Sequence, residues 1–270
     1  MKITPRIFQR TAKDGSPGWE FILPSVVLVS LIGVPVLALI WRSFSPEIFS
    51  YAVSENAVSA LKLSLVTSLV CVFLALVMGT PLAYIQAHWK FRGKLLLDLL
   101  VDLPVVLPPS VAGIALLLAF GREGLIGAWL NKIGITLPFT TAAVIMAQLF
   151  VSAPLLVRSA RVGFAAIDPQ LEEAAKVEGA SNWNVFRLIM LPVAGRALLT
   201  GVVLTWTRAL GEFGATLLFA GNLEGKTQTM PLAIYVGFEQ GLGIALVLSV
   251  ILLAVSLTLL AFLRRLELQT

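Results

Sequence analysis

The sequence holds a single cysteine, Cys71, and a single histidine, His88. A lone cysteine closes no intrachain disulfide and forms no CxxC pair, and a lone histidine leaves zinc without a clustered ligand set. Charge is also scarce: 13% of the residues are Asp, Glu, Lys or Arg, about half the share of an ordinary soluble domain. No HExxH, GxSxG or G-x-x-x-x-G-K-[ST] motif occurs, so metalloprotease, serine-hydrolase and phosphate-loop chemistry lack their residues. No catalytic residue, cofactor or metal is expected in this chain.

What is abundant is apolar sequence. Apolar residues make up 58% of the 270, and the mean hydropathy is +0.92, far above a soluble domain. A membrane span takes roughly 20 apolar residues. Windows bounded by charge, proline or glycine fall at 19–41, 61–84, 95–120, 139–157, 197–220 and 242–263, which predicts an all-α polytopic membrane protein with six transmembrane helices. The first window follows Lys2, Arg6, Arg10 and Lys13 and carries no small-residue cleavage pattern, so it reads as an uncleaved span. In the third window, Asp98 and Asp102 are costly facing lipid, which places the start of its spanning part near Leu103.

The net charge is +5. In a soluble protein that would suggest nucleic acid, but here the basic residues lie between apolar runs, where they orient the chain in a lipid bilayer. No nucleic-acid partner is expected. Fourteen Lys and Arg fall on the side of the amino terminus, the 90–94 loop, the 158–196 segment and the carboxyl tail; four, Arg42, Arg122, Lys132 and Lys226, fall on the other. The positive-inside rule then makes both termini and the 158–196 segment cytoplasmic and turns the loops near 42–60, 121–138 and 221–241 outward.

The 158–196 segment reads as two short helices. Asp168 is an N-cap, Pro169 fits the first helical position, and Glu172 and Glu173 fall in the first turn. Gly179 ends that helix, and Ser181 caps a second one running through Trp183 and Phe186 to Leu191, where Pro192 limits it. Leu171, Ala174, Ala175 and Glu178 follow helical spacing and form one small, flat face. Such a face lets a partner approach closely, while Glu173 and Glu178 accept charge-assisted hydrogen bonds from it. The alternative, a helix lying on the membrane surface, fits less well because such helices favour Lys, Arg and bulky apolar residues.

Glu173-Ala174-Ala175, three residues, Gly179, nine residues, Ile189, one residue and Leu191-Pro192 together resemble the EAA signature of ABC-importer permeases. The resemblance covers roughly 58–264. It implies the type I importer permease fold, with 1–57 holding the first transmembrane helix and outer loop, 58–264 the permease domain with a coupling loop at 165–192, and 265–270 a cytoplasmic tail. It also implies partners: a second copy of the permease, two cytoplasmic ATPase subunits docked on the coupling loops, and an external solute-binding protein. ATP and Mg would be bound by the ATPase. The implied place is a cell (inner) membrane.

Arg208 and Glu212 stand at i, i+4 inside an apolar window. Either they face the translocation pathway, Arg208 lending positive potential to an anion route, or they form an ion pair that locks the bundle. The run Arg208-Ala-Leu-Gly-Glu-Phe-Gly-Ala-Thr216, followed by Ala220-Gly221-Asn222, Thr229-Met-Pro231 and Ile234-Tyr235, resembles the molybdate branch of the oxyanion importers. Tungstate is inseparable from molybdate on this pattern, and sulfate permeases share its core. Pro108-Pro109-Ser110 interrupts the third window, with Gly113 nearby for close approach, and joins Arg208, Glu212 and Thr216 as candidate pathway residues. Lys62 and Arg42 read as snorkelling or as an outer mouth, and Trp19, Trp41, Trp89, Trp129 and Trp183 as interfacial anchors. An ion-coupled secondary transporter would use Arg208 and Glu212 as well, but leaves the EAA spacing without a role.

Overall fold

The computed structural model describes residues 18–43 and 54–269. The chain divides into two compact units, Met1–Phe44 and Ser45–Thr270, each taken by itself. The first holds α1, Trp19–Arg42, a predominantly apolar helix of 24 residues that matches the first expected span.

The second unit is organised around two long helices, α2 (Glu55–His88) and α6 (Thr141–Ala165). At 34 residues, α2 is about 50 Å long, more than a bilayer core is thick. Ser54 caps its start by accepting a hydrogen bond from the Ala57 amide, 3.3 Å. Its buried stripe is small or hydroxylic: Ala60, Ser64, Thr67, Ser68, Cys71, Ala75. Small residues allow close backbone approach, and hydroxyls supply the polar links that hold helices together where lipid offers no hydrophobic drive. Ser68 accepts from the Trp206 indole at 2.9 Å, Ser64 from the Met230 amide at 2.7 Å, and Cys71 lies 3.4 Å from the Ser152 hydroxyl. A Cβ on Gly79 would stand 3.0 Å from Leu156 Cδ2, which marks how tightly α2 and α6 pack.

The third expected span is broken. It forms α3 (Lys94–Val106) and α4 (Pro109–Phe120), parted at Leu107 and Pro108, both extended. A residue before proline is driven out of the helical region, and two consecutive prolines do this twice; Pro109 then takes the first position of α4. Helix begins at Lys94, well before Leu103. Asp98 and Asp102 are paired with basic residues: Arg158 Nε lies 2.5 Å from Asp102 and Arg161 Nη1 3.5 Å from Asp98. Both arginines belong to α6, which runs to Ala165, so they are paired helix residues rather than loop charges.

A short α5 (Gly127–Lys132) lies between α4 and α6. After α6 come α7 (Pro169–Val177), α8 (Asn182–Val185), a π-helical turn Phe186–Met190, α9 (Leu191–Val193) and α10 (Gly195–Leu210). The path bends by 72° between 182–193 and α10. Pro192 therefore does not end the second helix; it sits inside α9, and the turn comes at Ala194. The fifth expected span is also broken, into α10 and α11 (Gly214–Ala220). The loop expected at 221–241 contains α12 (Met230–Gln240), eleven residues that are too short to register as a span. Leu242–Gln269 forms α13.

All described secondary structure is helical. Among the described residues three helices, α1, α2 and α6, are long and apolar enough to cross a membrane, four if 182–193 and α10 count as one bent span; α4 and 242–258 are shorter apolar helices.

Candidate functional site

The 168–181 segment is built from local capping. Asp168 Oδ1 accepts from the Gln170 amide at 3.0 Å, with Pro169 at the first helical position. At the other end Gly179 adopts φ +88°. Its amide donates to Lys176 O at 3.0 Å while the Ala180 amide donates to Ala175 O at 2.9 Å, the paired closure that a left-handed glycine permits. Ser181 Oγ accepts from the Asn184 amide at 3.3 Å. Each of these expected signals is in place.

The flat face is divided differently. Leu171, Glu173, Ala174 and Glu178 are exposed, but Ala175 turns inward with Ala180 onto a core of Tyr84, Phe164, Val185 and Phe186. Ile189 is half-buried, Leu191 packs on the same core, and Pro192 is exposed. Ala175 shares its inward side with Glu172, a residue the motif passes over. Glu172 Oε2 lies 3.9 Å from His88 Nε2, and Oε1 accepts from Lys176 at 2.7 Å. The hydrogen bond from Lys176 to Glu172 holds the Lys176 ammonium above its ordinary pKa. Around this contact the Tyr84 ring stands 4.4 Å from His88, 4.8 Å from Phe186 and 5.4 Å from Phe164. The loop is thus fastened to the ends of α2 and α6, with its acidic and small outer face free. Glu172 and Lys176 stand at i, i+4 and so pair within α7, but nothing local in the sequence points to His88.

The second cluster lies where the helices break. Arg208, in the last turn of α10, places Nη1 2.6 Å from Glu212 Oε2, and Glu212 Oε1 accepts from the Ala215 amide at 2.8 Å. Glu212 is not inside a helix: it stands in the 211–213 break, spanning the end of α10 and the first turn of α11. It is 1% exposed and Arg208 33%. A buried carboxylate requires such partners for its lone pairs. Thr216 is fully buried on α11.

The two breaks lie against each other. A Cβ on Gly214 would stand 2.8 Å from Pro109 Cβ, and one on Gly113 would stand 3.0 Å from Ala215 Cα. Pro108, Pro109 and Ser110 are exposed beside this contact. The structure therefore brings together the two groups of residues nominated for the pathway, which lie about a hundred positions apart in sequence. Lys62 is exposed on α2, and Arg42 belongs to the other unit. The remaining motif residues pack as structure: Thr227, Gln228 and Thr229 are buried, Leu223 N donates to Thr227 Oγ1 at 2.9 Å, and Thr141 donates to Lys226 O at 3.0 Å. Among the described residues no group of three His, Cys, Asp or Glu side chains is arranged to hold a metal.

The chain is similar to known proteins in sequence and in fold. The chain is 40% identical over 245 residues to the probable transport system permease protein NifC of Clostridium pasteurianum, covering 90% of this chain and 85% of that one. It is 39% identical over 214 residues to the molybdenum transport system permease protein ModB of Escherichia coli K12, covering 77% and 93%. It is 36% identical over 255 residues to a probable sulfate transport system permease protein cysT of Nephroselmis olivacea, covering 93% and 89%. The fold resembles a bacterial ABC transporter involved in alginate import, with TM-score 0.75 and 18% identity over 93% of this chain and 94% of that one. It also resembles the MetNI methionine ABC transporter, with TM-score 0.61 and 19% identity over 79% and 97%. Residues 75–268 match the family described as binding-protein-dependent transport system inner membrane component, and the chain belongs to that family.

Proposed function

We propose that this chain is the membrane-spanning permease subunit of an ATP-driven importer that translocates molybdate, and with it tungstate, received from an external solute-binding protein. The observation that carries the substrate reading is the relationship at 39–40% identity to the NifC and ModB permeases, supported by the Arg208–Thr216 run and its continuation to Tyr235. The 36% identity to a sulfate permease makes sulfate the second reading.

The chain acts as one of two copies, each paired with a cytoplasmic ATPase that binds ATP and Mg. It has no catalytic residue of its own. We read six spans, the third and fifth as broken helices, with both termini cytoplasmic, so that α7 faces the ATPase and the 221–229 loop faces outward. Closure of the ATPase pair moves α7, and the tie to α2 and α6 through Glu172, Ala175 and the Tyr84 core carries that movement into the bundle. The exposed docking residues are Leu171, Glu173, Ala174 and Glu178, with Asp168 and Gly179 fixing the ends of α7.

At the paired breaks, discontinuous helices permit irregular backbone inside a membrane protein where it lines a cavity or is buried in protein. Glu212 Oε1 accepts from the Ala215 amide and Oε2 is ion-paired with Arg208, which favours a positioning role: it holds the break closed and orients Arg208. Arg208, one-third exposed, keeps guanidinium N–H groups to offer a passing dianion. Pro108, Pro109 and Ser110 flank that route.

The test is uptake of labelled molybdate into proteoliposomes holding permease, ATPase and binding protein, competed by tungstate or by excess sulfate. Competition by tungstate alone is expected; equal competition by sulfate moves the assignment to sulfate.

A further inference from the structure

A cavity of about 180 Å³ opens between the start of α2, the 221–229 loop and the α12–α13 hairpin. Its polar lining is Asn56, Glu224, Gln228 and Gln240, with Ser54 at the rim and Ala233 and Leu248 among its apolar walls. Gln228 is 6% exposed, and its side chain lines this cavity. A carboxamide lining a cavity offers its oxygen to a hydrogen-bond donor that enters. Glu224 is exposed and makes no ion pair among the described residues. No Lys, Arg or His lines the cavity.

The lining selects for a cation. A carboxylate only accepts hydrogen bonds, and three carboxamides can turn their oxygens toward a donor. An oxyanion would meet the Glu224 charge with nothing to offset it, so the cavity is not a stopping place for the transported substrate. The volume equals roughly six waters at about 30 Å³ each, room for the end of one long side chain and too little for a helix or a loop. All the contributing elements lie on the face assigned outward by the charge count, where only the solute-binding protein is expected to dock.

We propose that this cavity is a socket in which the docking solute-binding protein seats one lysine or arginine side chain, with Glu224 as the charge partner and Gln228 as the amide at its floor. The inference rests on the importer reading and on the outward placement of the 221–229 loop. Seating a cation there fixes the register of docking and, through Gln228 and the Thr227–Met230 backbone hydrogen-bonded to Ser64 and Leu223, presses on the outer half of α2.

The experiment measures binding of substrate-loaded binding protein to the complete transporter in nanodiscs. Glu224→Lys is expected to weaken that binding at least tenfold and Glu224→Gln less, with basal ATPase activity unchanged; the dependence of affinity on salt should flatten in Glu224→Gln. Gln228→Met, which removes the amide at nearly the same side-chain size and without changing charge, should weaken binding as well. A lysine or arginine of the binding protein whose exchange for glutamate restores binding to the Glu224→Lys transporter would identify the seated group. Wild-type affinity in both Glu224→Lys and Gln228→Met, with tight binding by the wild type, overturns the socket and leaves the importer reading standing. Calcium or sodium ions that bind the wild type but not Glu224→Gln, with binding-protein affinity the same in both, would make it a small-cation site and overturn the proposal. A wild-type transporter that does not bind loaded binding protein at all overturns both readings.

Discussion

The 168–181 loop, proposed above as the coupling loop, and the paired breaks at Pro109 and Gly214 both interrupt apolar helices, yet they are held in opposite ways. In the loop, hydrogen bonds between residues two to five apart set every end: Asp168 to Gln170, Ala180 to Ala175, Ser181 to Asn184. At the breaks, one buried carboxylate serves two helices and two glycines allow helices distant in sequence to touch. A surface coupler needs a rigid local shape and a free outer face. A break inside a membrane must satisfy its polar groups within the protein, because lipid offers no partners. The loop should therefore tolerate changes on its outer face without loss of folding, whereas the breaks should not tolerate loss of their polar or small residues.

The sharpest test of that contrast is Gly179→Pro. At φ +88° proline cannot be accommodated, and the amide that donates to Lys176 O is lost. Insertion should persist while ATP-dependent uptake falls to background; coupled transport at the wild-type rate would break the assignment of the loop. Glu212→Leu tests the other region. It strips Arg208 of its partner and α11 of its cap, and thermal unfolding in detergent should show a loss of about 3 kcal/mol. Gly113→Val forces a side chain against Ala215 and should cost about 1–3 kcal/mol, read by the same unfolding and accompanied by reduced uptake. Glu173→Lys, on the free face, should leave unfolding unchanged and weaken ATPase capture from detergent solution. The smallest effect is expected from Glu172→Gln, less than about 1 kcal/mol because its ion pairs are partly exposed, with slower transport per ATP hydrolysed as the informative readout.

The same contrast explains what could be read from the chain. Asp168, Gly179 and Ser181 announce themselves because a cap is made within one turn. The break at Pro108-Pro109 is visible for the same reason, since proline acts on its immediate neighbour. Which face of α7 turns inward depends on Tyr84 and Phe186, distant in sequence, so helical spacing alone places Ala175 on the outer face while the structure packs it on the core. The pairing of Asp98 and Asp102 with Arg161 and Arg158 joins residues 56 or more positions apart, and nothing local predicts it. The same holds for the break at 211–213, where no proline stands and the interruption is stabilised by Glu212 from within. Helix α12 has eleven residues, too few for a span window, and the six-span reading rests on charge and hydropathy rather than on unbroken helices.

The central claim is that movement of a separate ATPase drives substrate through this chain by way of α7. It is tested most directly by the initial rate of molybdate uptake, delivered by the binding protein, into proteoliposomes with and without enclosed ATP. The account predicts uptake only with ATP, and none with an imposed proton or sodium gradient in its place. Uptake driven by the gradient in the absence of ATP would contradict it.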